Sequence, residues 1–262
     1  MEHLQPVWAP ESLPWLSFNL STLLMTIITS IIVIVIAIAG TRRLTTGVPK
    51  GMQNVLEWLV DFVYGIIGST IGLKKGANFI FLALTLIMFI FVGNMLGLPM
   101  NFITVHDEPF SIFGIDIVTQ QMINESEIIE NGHKVVDVAW WKSPTADANV
   151  TLAMSVSIII LSQIFSIKYL GFKGYVKHYF EPHFLFFPLH IIEDFSKTLT
   201  LGFRLYGNIF AGEVLIGVIL LMGMAGIVPL AIWQGFSIFV GFIQAYVFTI
   251  LSMVYISQKI SH

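Results

Sequence analysis

The chain has 262 residues, of which 56% are hydrophobic and 11% charged, with a formal net charge of -3 and no cysteine. Soluble domains run near ~45–50% apolar and ~25% charged, so the solvent expected for this chain is a bilayer. Thirteen scattered Lys and Arg build no face that neutralises a phosphate backbone, which excludes nucleic acid as a partner, and the missing cysteine excludes disulfides, thiol catalysis and thiolate metal sites.

At ~20 apolar residues per crossing there is room for about five or six membrane helices in one domain spanning residues 1–262. The N-terminus carries Glu2 instead of a basic n-region, so no cleaved signal peptide is expected. A first helix is predicted over 16–40, with Trp8 and Trp15 at interfacial depth before it and Arg42 and Arg43 directly after it. Residues 50–72 differ. Gln53, Glu57, Asp61 and Tyr64 recur at helical spacing opposite Val55, Leu59, Val63 and Ile66, which predicts an amphipathic helix lying in the membrane surface. A second crossing is predicted over 79–98, and Pro99 opens a polar loop over 99–148. Inside it, Asn131-Gly132 between two apolar runs signals a small hairpin. A third crossing covers 149–170, followed by a basic loop holding Lys173 and Lys177 and ending at Pro182.

Two long helices are predicted last, over 183–225 and 229–258. From Leu189 to Met224 no proline intervenes, and 36 helical residues reach ~54 Å against a hydrocarbon thickness of ~30 Å. The helix must break or tilt, and strong tilt is the expectation. The fold class is therefore an all-α polytopic membrane protein. It has about five membrane-embedded helices and one interfacial helix, the last two long and tilted as a hairpin, plus a small extracellular hairpin-containing loop.

Cations set the expected orientation. With the N-terminus outside, the inner segments hold nine (Arg42, Arg43, Lys50, Lys74, Lys75, Lys168, Lys173, Lys177 and Lys259) and the outer loop two, Lys134 and Lys142. Eight of the sixteen acids fall between Asp107 and Asp147, in that same outer loop. The C-terminus is then cytoplasmic.

The two other cations, Lys197 and Arg204, lie inside the penultimate helix. Spacings of three, four and seven place His190, Glu193, Lys197, Thr200, Arg204 and Asn208 on one polar stripe. Glu193 and Lys197 at i,i+4 can neutralise each other, whereas Arg204 has no acid at i±3 or i±4. A buried, unpaired guanidinium costs several kcal/mol, so a partner from elsewhere is expected. Glu213, nine residues on, projects from the opposite face and can titrate where the arginine cannot. The final helix offers its own stripe, with Gln234, Ser237, Gly241, Gln244, Ser252 and Tyr255.

The stretch LTLGFRLYGNIFAGE, Leu199 to Glu213, resembles the signature of subunit a of the rotary F-type ATP synthase, bacterial type. GNMLGLP (Gly93–Pro99), SPTADANVTLA (Ser143–Ala153) and IQAYVFTILSMVYIS (Ile243–Ser257) follow the family in order. The resemblance implies a proton-channel stator subunit in the bacterial plasma membrane, non-catalytic itself, without cofactor, metal or bound nucleotide. Its partners would be a ring of c subunits, peripheral-stalk b subunits and lipid. Arg204 would face the ring, and Asn208, Glu213 and Gln244 would line aqueous half-channels, with Glu193, Lys197, His190, Ser237, Gln234 and Asp147 as further candidates for lining or support. Some bacterial members pair the acid at the Glu213 position with a histidine where this chain has Ser237. The coupling ion stays open between H+ and Na+. No phosphate-binding Gly-rich loop, HExxH or nucleophile elbow is present, so nucleotide chemistry would lie in other subunits. Two other classes compete: an ion-coupled secondary transporter with a midplane Arg/Glu site, and a structural scaffold. The transporter class predicts an internal repeat, which the sequence lacks.

Overall fold

In the computed structural model the described residues are 6–8, 18–42, 44–97, 103–112, 115–126, 128–130, 133–180 and 187–260. Asn19 begins helix α1 (Leu20–Thr41) by accepting the backbone N–H groups of Ser21 (3.1 Å) and Thr22 (3.3 Å). The helix is inside-out by the standard of soluble proteins. Ser21, Thr22 and Thr29 are buried, while Ile27, Ile31, Ile34 and Ile38 are more than half exposed. Lipid tails are as apolar as these side chains, so small and hydroxyl residues take the helix contacts and the large aliphatic ones face outward. On α6 (Ala148–Phe180), Thr151, Ser155, Ser162 and Ser166 repeat the pattern.

Helix α2 (Met52–Thr70) is amphipathic as expected, with Val63, Ile66 and Ile67 buried and Trp58 exposed. Gln53 departs from the polar-outside pattern. It is buried, donates to Glu57 Oε1 at 2.7 Å, and exchanges hydrogen bonds with Thr45. The short α3 (Leu73–Gly76) and a 3-10 turn lead into α4 (Ile80–Gly97). Among the described residues five stretches are long and apolar enough to cross a membrane: Leu20–Thr41, Leu73–Gly97, Ala148–Lys177, Phe187–Leu220 and Gly223–Ile260. The chain is an all-α multi-pass membrane protein.

Between α4 and α6 the connection is more ordered than a single hairpin. Strand β3 (Ile103–His106) pairs antiparallel with β8 (Val136–Ala139), and β4 (Phe110–Ile112) with β5 (Ile115–Val118). The expected hairpin is present as β6 (Ile129–Glu130) against β7 (His133–Lys134), its Asn131-Gly132 turn lying outside the described residues. Ile117, Val118, Ile123 from α5 (Gln120–Glu125), Val136 and Val138 form a separate small core. At the N-terminus β1 (Val7–Trp8) pairs with β2 (Phe18–Asn19).

The segment after residue 170 corrects the expectation of a loop. Gly171 adopts φ 71°, ψ 163°, a conformation open essentially to glycine alone, and breaks the helix there. The chain then re-enters helix as far as Phe180, because Tyr179 finds aromatic partners in Phe187 and His190 of the next helix. Helix α7 (Phe187–Leu220) runs 34 residues, about 51 Å, without a break. Gly223 (φ 58°) turns the chain into α8 (Ile227–Ile260), where Pro229 sits in the first turn and costs no intrahelical hydrogen bond. Helices α7 and α8 pack together as a hairpin, α6 packs against both, and α4 packs against α8 and α1.

Candidate functional site

Helix α7 has two polar faces with different surroundings. Leu201, Gly202 and Leu205 are buried against the bundle, and Gly202 lies so close to α6 that an added Cβ would stand 2.8 Å from Leu152 Cδ2 and 3.0 Å from Ser155 Oγ. That contact turns Thr200, Phe203, Arg204 and Asn208 outward as one exposed strip. Among the described residues Arg204 makes no hydrogen bond and no ion pair. A Cβ added at Gly207, four residues before the exposed Ala211 and on the Arg204 side of the helix, would meet nothing within 4 Å.

The other face borders a cleft of ≈ 100 Å³ between α7, α8 and the end of α4. Asn208 and Glu213 border it from α7, Trp233 and Ser237 from α8, and Asn94 and Gly97 from α4. Asn208 therefore joins the exposed strip to the cleft. Glu213 and Ser237, nominated from the sequence, meet here, while Arg204 and Gln244 are not in the lining. Gln244 is buried one turn beyond Gly241, with no hydrogen bond among the described residues. Gln234 is half-buried one turn before Ser237. Asp147 does not border the cleft. Its carboxylate accepts Thr22 Oγ1 at 3.0 Å and the Asn149 N–H at 2.8 Å, so it caps α6 and ties it to α1.

The segment 140–146 lies over the α4 end of the cleft. Trp141 Nε1 donates to Leu96 O (2.7 Å), Ser143 Oγ to Gly93 O (3.0 Å), and Thr145 Oγ1 to Asn94 Oδ1 (2.6 Å), while Asn94 Nδ2 donates to Gly241 O (3.1 Å). Ser143 Oγ and Thr145 Oγ1 also approach to 2.7 Å. Two hydroxyl protons thus serve three short contacts, so one contact is an oxygen–oxygen approach at any instant. Asn94, Ser143 and Thr145 were not nominated as site residues, although each lies in one of the stretches that carry the family resemblance.

At the opposite end of α7, Lys197 bonds Glu193 Oε1 at 2.7 Å and Gln258 Oε1 at 2.9 Å, with its ammonium 5.5 Å from the Tyr255 ring centre. His190 Nδ1 stands 3.7 Å from Glu193. The Glu193–Lys197 pairing read from their spacing is present, and it also bridges α7 to α8. Beside it is a buried network that the sequence did not signal. The Asp194 carboxylate accepts Lys259 Nζ (2.9 Å), Tyr179 OH (2.6 Å) and Gln163 Nε2 (2.9 Å), joining α6, α7 and α8. Burial, together with Asp194, pushes the Tyr179 phenol above its usual value and keeps it a donor. Lys259, counted from the sequence among the inner cations, is thus a buried partner of an acid and not a solvated charge. No cluster of His, Cys, Asp or Glu among the described residues has metal-binding geometry.

A membrane-spanning helical hairpin, with an arginine exposed on one face of α7 and a carboxylate bordering a cleft on another, defines a class: a multi-pass integral membrane protein with ionisable groups inside its spanning helices. The comparisons agree. Residues 23–257 match the model of the ATP synthase A chain family. ATP synthase subunit a of Staphylococcus carnosus (strain TM300) is 47% identical over 271 residues, covering 100% of this chain and 99% of the relative. The subunit a of Anoxybacillus flavithermus (strain DSM 21510 / WK1) is 46% identical over the same shares, and that of Bacillus subtilis (strain 168) 45% over 94% of each chain. The chain belongs to the ATP synthase A chain family.

Proposed function

We propose that this chain is the proton-channel stator subunit of a bacterial rotary ATP synthase, in which Arg204 faces a ring of c subunits and two aqueous half-channels reach it from opposite sides. The observation that carries the reading is Arg204 itself, exposed on a helix apolar enough to cross a membrane and without any partner among the described residues. A guanidinium cannot shed its charge at physiological pH, so its counter-charge must come from another chain. Two small residues on the Arg204 side of the helix, Gly207, where an added Cβ would meet nothing within 4 Å, and the exposed Ala211, admit a second helical surface at close range.

The chemistry follows from solvation. A ring carboxylate travelling through lipid has to be protonated, because a bare charge there is costly. On reaching Arg204 it loses the proton, since an adjacent fixed cation favours the charged form. The same fixed charge blocks a direct cation path between the half-channels. In this reading the cleft bordered by Asn208, Glu213, Ser237 and Asn94 is the outer half-channel. The polar end around His190, Glu193 and Lys197 supports the inner one. Each proton falling through 100 mV releases ~2.3 kcal/mol, so several are used per ATP, and the ATP chemistry lies in other subunits.

ATP-driven proton pumping in vesicles, normalised to assembled complex, tests the assignment. Arg204→Ala is expected to abolish coupled pumping and to open a passive leak, and Arg204→Lys to fail as well, because an ammonium can lose its charge when desolvated and lacks the planar fork. Normal coupled pumping by either variant removes Arg204 from the mechanism and returns the transporter and scaffold readings.

A further inference from the structure

We propose that the end of α8 is a two-point pin that sets the roll of α7 about its axis, so that Tyr255, Gln258 and Lys259 are positioning residues for Arg204. The inference rests on the channel reading above.

The two points lie in different directions around α7. At the first, Lys197 Nζ donates to Gln258 Oε1 at 2.9 Å and stands 5.5 Å from the Tyr255 ring centre, so two α8 residues one turn apart hold one ammonium. At the second, Lys259 Nζ donates to Asp194 Oδ2 at 2.9 Å, and Tyr179 OH and Gln163 Nε2 of α6 donate to the same oxygen at 2.6 Å and 2.9 Å. Asp194 and Lys197 are three residues apart, which at 3.6 residues per turn is about 60° around the axis. A single contact would act as a pivot, whereas two in different directions stop the helix from turning. Arg204 comes seven residues after Lys197, about 10 Å along the axis and within about 20° of the same line, so its direction follows from the pin. Nearer polar groups do not set it. Thr200, Arg204, Tyr206 and Asn208 make no side-chain hydrogen bond among the described residues. Leu201 and Leu205 are buried, but apolar contact is non-directional. Gly202 brings α7 against Leu152 and Ser155 of α6 without a side chain of its own to resist rotation.

A roll of α7 would swing Arg204 out of line and open the cation path that it blocks, so passive leak is the readout that stability alone does not move. Proton leak through the membrane sector and ATP-driven pumping, both in vesicles of the intact complex and both normalised to assembled complex, are measured for three variants: Gln258→Leu, Gln258→Glu, and Lys259→Met combined with Asp194→Asn. Arg204→Ala serves as reference. Gln258→Leu and the paired variant are expected to raise the leak on the order of tenfold, the change in population that one hydrogen bond to a charged group supports, and to lower coupled pumping. Gln258→Glu keeps an acceptor for Lys197 and is expected near wild type. The paired variant separates position from stability, because it removes both members of a buried ion pair and is expected to regain stability while still leaking. A leak at the wild-type level in Gln258→Leu or in the paired variant overturns the inference, as does a leak in Gln258→Glu equal to that in Gln258→Leu. Fewer assembled complexes with normal coupling in those that remain also overturn it, since these residues would then serve stability alone. Leak-tight, coupled Arg204→Ala complexes would remove the channel reading and the inference with it, whereas a leaking Arg204→Ala beside leak-tight α8 variants sinks the pin alone.

Discussion

Lys259 and Arg204 sit on neighbouring helices of one hairpin and meet opposite fates. Lys259 is buried with Asp194, which also receives Tyr179 and Gln163, so its charge is neutralised inside the chain. Arg204 is left open. The difference bears on what a sequence can tell. The isolation of Arg204 was legible because it is a local statement about positions one turn away. The Asp194–Lys259 pair joins residues 65 apart on two helices, so no periodicity could announce it. Removing one member of a buried ion pair strands the other at a cost of about 3–5 kcal/mol, whereas removing both is close to neutral. Lys259→Met is therefore expected to lower the thermal stability of the purified complex strongly, and Lys259→Met with Asp194→Asn to recover most of the loss. A double variant no more stable than Lys259→Met would mean that the pair is not the unit that matters.

Among the elements, α7 was read nearly in full, since a long proline-free apolar run has few alternatives to a continuous helix. The helical turn after Gly171 was missed because Lys173 and Lys177 read as a solvated loop. Only the aromatic seat for Tyr179 on α7 and its bond to Asp194 explain why the backbone folds there. The β3–β8 pairing was equally hidden, being a contact between strands some 30 residues apart whose apolar cluster is small. Within α7 the glycines separate internal packing from external contact. At Gly202 an added methyl meets Leu152 and Ser155 below ordinary contact distance, whereas at Gly207 it meets nothing within 4 Å. Gly202→Ala is expected to push α7 from α6 and lower the amount of assembled subunit. Gly207→Ala should leave the chain's own folding intact and reduce coupled pumping, because the open space is where a partner helix would lie. Subunit abundance and pumping rate per complex, measured side by side, separate the two, and equal behaviour of both variants would contradict this division.

For the whole molecule, the 140–146 segment, the small β-structured cap and the cleft gather at one end of the bundle, and the Asp194 network with its nearby lysines at the other. The asymmetry of charge gives an expectation for which end faces which compartment. Nine cations against two favour the cap outside, and the outer loop holds half the acids. One of the nine, Lys259, is neutralised by Asp194 and contributes little to the bias, which leaves eight against two and the same orientation. The native chain has no cysteine, so single introduced thiols report cleanly. Gln121 on α5 and Lys173 after the Gly171 break are both exposed, and a thiol at either site is open to reagent without disturbing a core. In intact cells an impermeant maleimide is expected to label Gln121→Cys and spare Lys173→Cys, with the second labelled only after permeabilisation. The opposite pattern would invert the molecule. It would place the cleft on the inner side, so that under the proposed function Glu213 would serve proton exit to the cytoplasm instead of entry from outside during ATP synthesis.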